Sequence, residues 1–221
     1  MTRPLIILGT GGNAYDVLDI VEAINAARRT WEVAGFLDDA RPVGSEFLGL
    51  PVLGRLVDAG RFATQSFVNA IGSDASFGRR PEIVASTGLP EDRFATLVHP
   101  NASVSSRARL GRAAYVNPGA TIAGNVTVGA HVAVGPGCIV GHDCTVGEFS
   151  MLAPGAIVSG FVRIGRAAYV GAGAMIRQRL SIGDGALVGM GSVVLRDVEA
   201  GCTVVGNPAR VLRRTPAKVA S

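Results

Sequence analysis

From Val104 onward, every sixth residue is aliphatic: Leu110, Val116, Ile122, Val128, Val134, Val140, Val146, Leu152, Val158, Ile164, Val170, Ile176, Ile182, Val188 and Val194 follow without an exception. Repetition at a short fixed period makes each unit a small structural step that buries its apolar side chain only by stacking on its neighbours. The residue two places before each aliphatic is also restricted and mostly small, as at Ala108, Ala114, Ala120, Cys138, Ser150, Ala156, Ala168 and Ala174. Glycine often follows the aliphatic, as at Gly111, Gly129, Gly141 and Gly165. Two inward positions per unit predict short strands joined by tight corners, and the small inward residues predict a narrow prism. Three units close one triangular coil, so fifteen units predict a parallel β-helix of about five coils, stacked ~4.8 Å apart. Cys138 and Cys144 fall on inward positions and are expected to be core filler.

The outward residues sort by coil into three faces. Face one reads Thr121, Ile139, Ile157, Met175 and Val193; face two reads Arg109, Thr127, Thr145, Arg163 and Ser181; face three reads Tyr115, Ala133, Met151, Tyr169 and Leu187. Two faces are largely apolar, more than a soluble monomer has use for. A ring in which face one of each chain meets face three of its neighbour buries both, and the simplest closed ring is a homotrimer.

Residues 4–98 alternate between strand and helix signals, which predicts a small Rossmann-like α/β domain with a parallel sheet. Strands are expected at Leu5–Leu8, Val33–Leu37, Ser66–Ile71 and Phe94–Val98, and helices at Ala14–Ala27, Arg79–Ser86 and Leu53–Gly60. The chain divides into a domain over 1–99, a β-helix over 100–206 and a tail over 207–221, loosely ordered from Arg213. Gly9-Thr10-Gly11-Gly12 follows the first strand and opens a helix, so Gly11, Gly12 and Asn13 are candidates to receive a phosphate or sugar through backbone amides. The same glycines also serve as plain turn chemistry, because Ala14 stands where a dinucleotide fingerprint has its third glycine. Asp38 and Asp39 end the second strand, where such sheets contact a ribose or base, and Gly72 and Ser73 end another. A pair of solvated loops is the alternative for both.

Composition excludes several classes. No apolar run approaches the ~18 residues that cross a bilayer, and the first strand is too short for a signal-peptide core. A net charge of +4 with no arginine-rich tract gives no footprint for nucleic acid. Three cysteines without metal-ligand spacing fit a reducing compartment, with the cytoplasm expected. The three histidines, His99, His131 and His142, are spaced by 32 and 11 residues, which does not stack them in one column, so no metal site is expected. His99 lies at the domain junction, and His131 is expected on an exposed corner. His142 occupies the corner between faces one and two, with Gly124 and Gly160 one coil away. Its imidazole is therefore expected to stand uncrowded, beside Asp143 and near Glu148, either of which can orient it.

His142-Asp143-Cys144 with Gly147-Glu148-Phe149-Ser150 resembles the active-site coil of the bacterial hexapeptide acyltransferases. The resemblance is strongest to the nucleotide-amino-sugar N-acetyltransferases, together with the sialic acid O-acetyltransferases. It extends through the glycine turn, Phe36-Leu37-Asp38-Asp39, Ala70-Ile71-Gly72, His99-Pro100 and Val205-Gly206-Asn207-Pro208-Ala209-Arg210. It implies a left-handed coil sense and acetyl-CoA as co-substrate in a groove between two β-helices. It also implies a nucleotide-linked amino sugar held by the N-terminal domain for surface glycan synthesis. His142 is then the general base and amides around Gly160 stabilise the oxyanion, with no metal. Gly171, Ala172 and Gly173, with Gly206, Pro208 and Arg210, match places where the family grips CoA. Two positions depart from the pattern. Asn13 stands where relatives often carry histidine, and Met151 stands where the amino-sugar enzymes have a second histidine near the thioester. On the face analysis Met151 is expected against a neighbour's Ile139, close to its His142. O-acetylation of a sugar uses the same base chemistry, and a non-catalytic trimeric binding protein is the alternative that Met151 keeps open.

Overall fold

The computed structural model describes residues 2–214. The N-terminal part is a five-stranded sheet in the order β3-β4-β2-β1-β5, with β1 at Arg3–Leu8, β2 at Trp31–Leu37, β3 at Glu46–Phe47, β4 at Leu50–Gly54 and β5 at Ser66–Asn69. All pairings are parallel except the hairpin of β3 with β4. Helix α1 spans Gly12–Ala27 and buries Ala14, Val17, Ile20 and Val21 at helical spacing. Helix α2 spans Arg80–Ser86. Buried on both faces, β1 carries the unbroken run Leu5–Leu8, as a central parallel strand requires.

Two expected elements differ. The segment Leu53–Gly60, read as a helix, divides into the end of β4 and a 3-10 helix at Leu56–Arg61. The break falls at Arg55, whose N–H is taken by the Asp58 carboxylate at 2.8 Å. The segment Phe94–Val98, read as a fourth parallel strand, is split as well. Phe94 makes a lone bridge to Phe67, and Leu97–Val98 pairs with Tyr115–Val116 instead. The chain leaves the sheet there to found the first coil.

The repeat forms sixteen two-residue strands from Ser103–Val104 to Val193–Val194, in three parallel sheets whose partners are eighteen residues apart, as in Thr121↔Ile139 and Ala133↔Met151. Stacked this way, they form a parallel β-helix, left-handed as in the hexapeptide proteins it resembles. Its core is the inward set, with Val116, Val134, Val140, Val158, Val170 and Val188 all wholly buried. Each such valine is worth ~1.5–3 kcal/mol relative to exposure. Burial pushes the Cys138 thiol up to about 11, and its Sγ donates to Ala153 O at 3.1 Å. Cys144 is likewise buried and raised. Neither supplies a thiolate near neutrality. The segment beyond 206 is not wholly a tail. Cys202–Val205 adds to the third sheet, and Arg210–Arg214 pairs with it antiparallel, so Arg213 and Arg214 belong to a strand. Residues 215–221 of the expected loose tail lie outside the described residues. Among the described residues, no helix is long and apolar enough to cross a membrane.

The faces meet different fates. Face one stays open, with Ile139 44% and Met175 49% exposed. Face three does not await a neighbour. Tyr115, Ala133 and Met151 are buried in one cluster with Leu5, Ile7, Ala14 and Val17 of the chain's own N-terminal domain. The expected pairing of face one with a neighbour's face three, and of Met151 with a neighbour's Ile139, is therefore corrected. An apolar face can be covered by any apolar partner, and the N-terminal sheet and α1 reach it first.

One cation fastens the two parts. Arg80 is wholly buried, and its guanidinium donates to Ile71 O at 2.5 Å, His131 O at 2.7 Å and Phe149 O at 3.1 Å. Beside it, His131 corrects a second expectation. It is 1% exposed rather than on the surface, stacked on Phe149 with ring centroids 4.8 Å apart and edge-on to Phe94. Its Nε2 lies 3.1 Å from Glu91 Oε1. The sequence showed its corner but not that the domain folds over it. Burial holds the His131 imidazole below the ordinary histidine range, against the pull of Glu91. Below pH ~6.5 the unfolded chain takes up a proton that the folded chain binds less readily. Stability is thus full above that range and is lost as pH falls. Denaturant midpoints are expected to drop between about pH 7.5 and about pH 5.5, and His131→Leu is expected to flatten that slope. An equal slope in the variant would assign the acid sensitivity elsewhere.

Candidate active site

The N-terminal domain and face three enclose a cleft of about 960 Å³. Its upper wall is the glycine turn, Gly9 to Asn13, followed by α1. Gly9 has φ +95, and a Cβ there would collide with the Ile71 side chain, so only glycine makes the turn. A Cβ at Gly11 or Gly12 would meet nothing within 4 Å. The start of α1 has no side-chain cap and no acid in its first turn. Open amides at the positive end of a sixteen-residue helix are suited to an anion.

All seven residues expected to hold the sugar nucleotide line this cleft: Gly11, Gly12, Asn13, Asp38, Asp39, Gly72 and Ser73. Several of their side chains already serve the site's own shape. Asn13 Nδ2 donates to Ala70 O at 3.0 Å and Gly72 O at 2.8 Å, which ties the glycine turn to the end of β5. Asp38 Oδ2 takes the Thr10 N–H and hydroxyl, both at 2.7 Å, and Oδ1 takes the Ala40 N–H at 2.7 Å. Burial raises the Asp38 carboxyl, but the bonds from Thr10, Ala40 and Arg41 outweigh it and hold it below the usual carboxylate range. Asp39 accepts the Leu56 N–H at 3.1 Å. Gly72 rests on Met151 and Arg80, the first atoms a Cβ would strike. Met151 is thus part of the cleft floor, with Tyr115, Asn117, Leu152 and Tyr169. Sequence reasoning read Tyr115, Met151 and Tyr169 as outward positions and Leu152 as an inward one, and it had no means of showing what covered face three.

The cleft is also lined by the corner that carries Gly135, Pro136, Ala153 and Pro154. Two of the expected CoA residues, Gly171 and Ala172, continue that corner in a smaller pocket of about 90 Å³ that shares Asp74 and Tyr169 with the cleft. Gly173 is the next residue in the same turn, with φ +64. Gly206 donates to Ser192 Oγ at 3.1 Å, and Val193 N–H donates to Gly206 O at 3.0 Å. That anchors the turn carrying Pro208 and Arg210 at the same end of the column. Arg210 is exposed.

His142 is not in the cleft. It stands on the corner between faces one and two, its side chain 61% exposed. Its Nδ1 lies 2.7 Å from Asp143 Oδ2. An ionised carboxylate only accepts hydrogen bonds, so a neutral imidazole held this way carries its proton on Nδ1 and presents the lone pair of Nε2. Bonds from His142 and from Asn125 Nδ2 hold the Asp143 carboxyl below the usual range. Gly160 leaves the ring its space: a Cβ there would stand 2.9 Å from both Cε1 and Nε2. Glu148, the other carboxylate considered, faces Arg166 at 3.9 Å instead. Among the described residues no group of His, Cys, Asp or Glu is arranged to hold a metal ion.

A left-handed β-helix with a hydrogen-bonded imidazole on one corner and a phosphate-ready cleft under an α/β domain defines the class of hexapeptide-repeat acyltransferases. The comparisons agree. The profile of the PglD N-terminal domain matches residues 4–76. The acetyltransferase domain of PglB from Neisseria gonorrhoeae is 32% identical, with a TM-score of 0.81 over 96% of this chain and 100% of that one, and has also been solved with acetyl coenzyme A. PerB from Caulobacter crescentus, solved with CoA and GDP-perosamine, is 29% identical, with a TM-score of 0.81 over 96% of this chain and 98% of that one. WeeI from Acinetobacter baumannii is 29% identical, with a TM-score of 0.81 over 96% of this chain and 100% of that one. No curated protein matches. The chain belongs to the family of hexapeptide-repeat nucleotide-amino-sugar N-acetyltransferases, and it is an acetyltransferase.

Proposed function

We propose that this enzyme moves the acetyl group of acetyl-CoA onto the amine of a nucleotide-linked amino sugar, with His142 as general base. The observation that carries this reading is the division of labour between two corners. A cleft with an open helix N-terminus suits a diphosphate, and a separate corner holds an imidazole whose Nδ1, rather than Nε2, is turned to a carboxylate. The sugar diphosphate lies against Gly11 and Gly12, with the sugar over the apolar floor of Tyr115, Ala133 and Met151. Acetyl-CoA runs along the glycine corner of Gly171, Ala172 and Gly173 toward Gly206, Pro208 and Arg210. The neutral amine attacks the thioester carbonyl, and its proton passes to Nε2 as the C–N bond forms. The C–S bond then breaks, and the thiolate of CoA leaves and takes a proton. An imidazole is matched to that transfer near neutral pH. Backbone amides near Gly160 stabilise the oxyanion of the tetrahedral intermediate.

His142 and the cleft lie on different corners of one column, so a second copy must bring them together. The exposed apolar face one, flanking His142, supplies the contact, and a closed ring of three is the simplest assembly. A reaction that draws on acetyl-CoA fits the cytoplasm, ahead of the assembly of a surface glycan.

The test is thiol release on incubation with acetyl-CoA and a panel of nucleotide amino sugars. Turnover with at least one amine-bearing donor, yielding the amide, is expected. Turnover only with sugars that lack an amine would replace this reading by O-acetylation, and no turnover with any sugar nucleotide would remove it.

A further inference from the structure

One column of corner residues beside His142 is at odds with its own backbone. Asn125, Asp143, Phe161 and Arg179 follow one another at one-coil intervals, with φ of 61°, 60°, 62° and 63°. Asparagine and aspartate tolerate this left-handed region, whereas bulky residues meet steric cost in it. The corner's backbone bonds do not demand the larger residues. Phe161 N–H donates to His142 O and Arg179 N–H to Gly160 O, each at 3.0 Å, and asparagine or glycine makes the same bonds. Nor is burial the reason, since Phe161 is 41% exposed. Its side chain does have a definite contact. The Phe161 ring meets the His142 imidazole edge-on, with centroids 5.0 Å apart and planes at 86°. The Arg179 guanidinium covers the ring at 4.4 Å from its centroid.

We propose that Phe161, braced by Arg179, is a positioning residue that fixes the plane of the His142 imidazole for proton transfer. This rests on His142 being the base. An exposed imidazole held by one hydrogen bond at Nδ1 still swings about that bond. Asp143 fixes one edge, Phe161 limits the swing, and the bare Cα of Gly160 lets the ring lie over it. The same left-handed backbone recurs at Ala113, His131, Phe149 and Ala167 on another corner, so what singles out Phe161 is its contact with the imidazole, and misplacement of a catalytic group by an ångström costs rate steeply.

Phe161→Asn tests this, because asparagine relieves the backbone cost while removing the ring. Thermal stability is expected to hold or rise, kcat to fall about 10-fold, and KM for both substrates to stay within about twofold. Phe161→Tyr, which keeps an aromatic edge, is expected to restore most of the lost rate. In a His142→Ala background, Phe161→Asn is expected to cost nothing further, because two residues that act as a unit are not additive. An undiminished kcat in Phe161→Asn, or the same fractional loss in both backgrounds, would overturn the inference while leaving His142 as base. Full activity in His142→Ala alone would instead overturn the base assignment, and this inference with it.

Discussion

The His142→Ala enzyme is expected to turn over roughly 10²–10⁴-fold more slowly than the unaltered chain. KM for acetyl-CoA and for the sugar nucleotide should change little, because the imidazole takes the proton of the attacking amine and is not what holds either substrate. The fold should be indifferent, since the side chain is largely exposed and its hydrogen bond is to a neighbour that Asn125 also holds. The loss should therefore appear with no change in thermal midpoint. A variant with kcat intact would mean that the amine loses its proton to water or to another group. Half the functional account would then fall, although the cleft would stand.

Arg80→Met should be the most damaging single change to stability. The side chains are similar in length, so the change removes donors more than volume. It leaves the carbonyls of Ile71, His131 and Phe149 buried without the partners they have now. An orphaned buried group costs ~1–3 kcal/mol. Burial lowers the Arg80 pKa, with Tyr115 opposing, and relief of that cost offsets part of the loss. A net destabilisation of about 3–5 kcal/mol follows, or roughly 10 °C in thermal midpoint for a chain of this size. Arg80→Lys should recover only part of it, because an ammonium on a flexible stem does not reproduce a planar fork aimed at three carbonyls. The cleft should suffer too. Gly72 rests on Arg80 and Met151, so the sugar-nucleotide KM should rise. An unchanged midpoint in both variants would show that apolar contacts alone fasten the domain to face three.

The column was legible because its constraint is one-dimensional. Each aliphatic of the series from Val104 points inward by period alone, and no distant contact decides it. Strand β1, the glycine turn and α1 were legible for a similar reason, since a short apolar run, a turn and helical spacing are local signals. The hairpin of β3 and β4 was not read, because its turn is Leu48-Gly49, with φ of 52° and 73°. Leucine in the first left-handed position hides a turn that asparagine would have announced. The larger misreading concerned face three. Outward apolar residues say that something covers them, not what. Met151 was thus assigned to a neighbour when it forms the floor under Gly72. His131 and Arg80 were lost for the same reason, since their burial exists only once the domain has docked. His142 was found because its distinguishing feature is an absence one coil away, at Gly160, and the period alone reveals that. Its bracing by Phe161 and Arg179 needed coordinates, because left-handed backbone at those positions is invisible in the residue names.

The claim on which the mechanism turns is that one chain lends its imidazole to another chain's cleft. Mixing two inactive variants tests it. Gly12→Asp places a carboxylate at the helix N-terminus meant for phosphate. Its Cβ meets nothing within 4 Å, and an acid there suits the helix, so the fold should hold while sugar-nucleotide binding is lost. Assemblies made only of Gly12→Asp chains, or only of His142→Ala chains, should be inactive. Co-expressed, purified assemblies containing both should regain acetyl transfer, because some clefts are then intact and face an intact His142. If those mixed assemblies form and stay as inactive as their parents, the base and the cleft do not meet across chains.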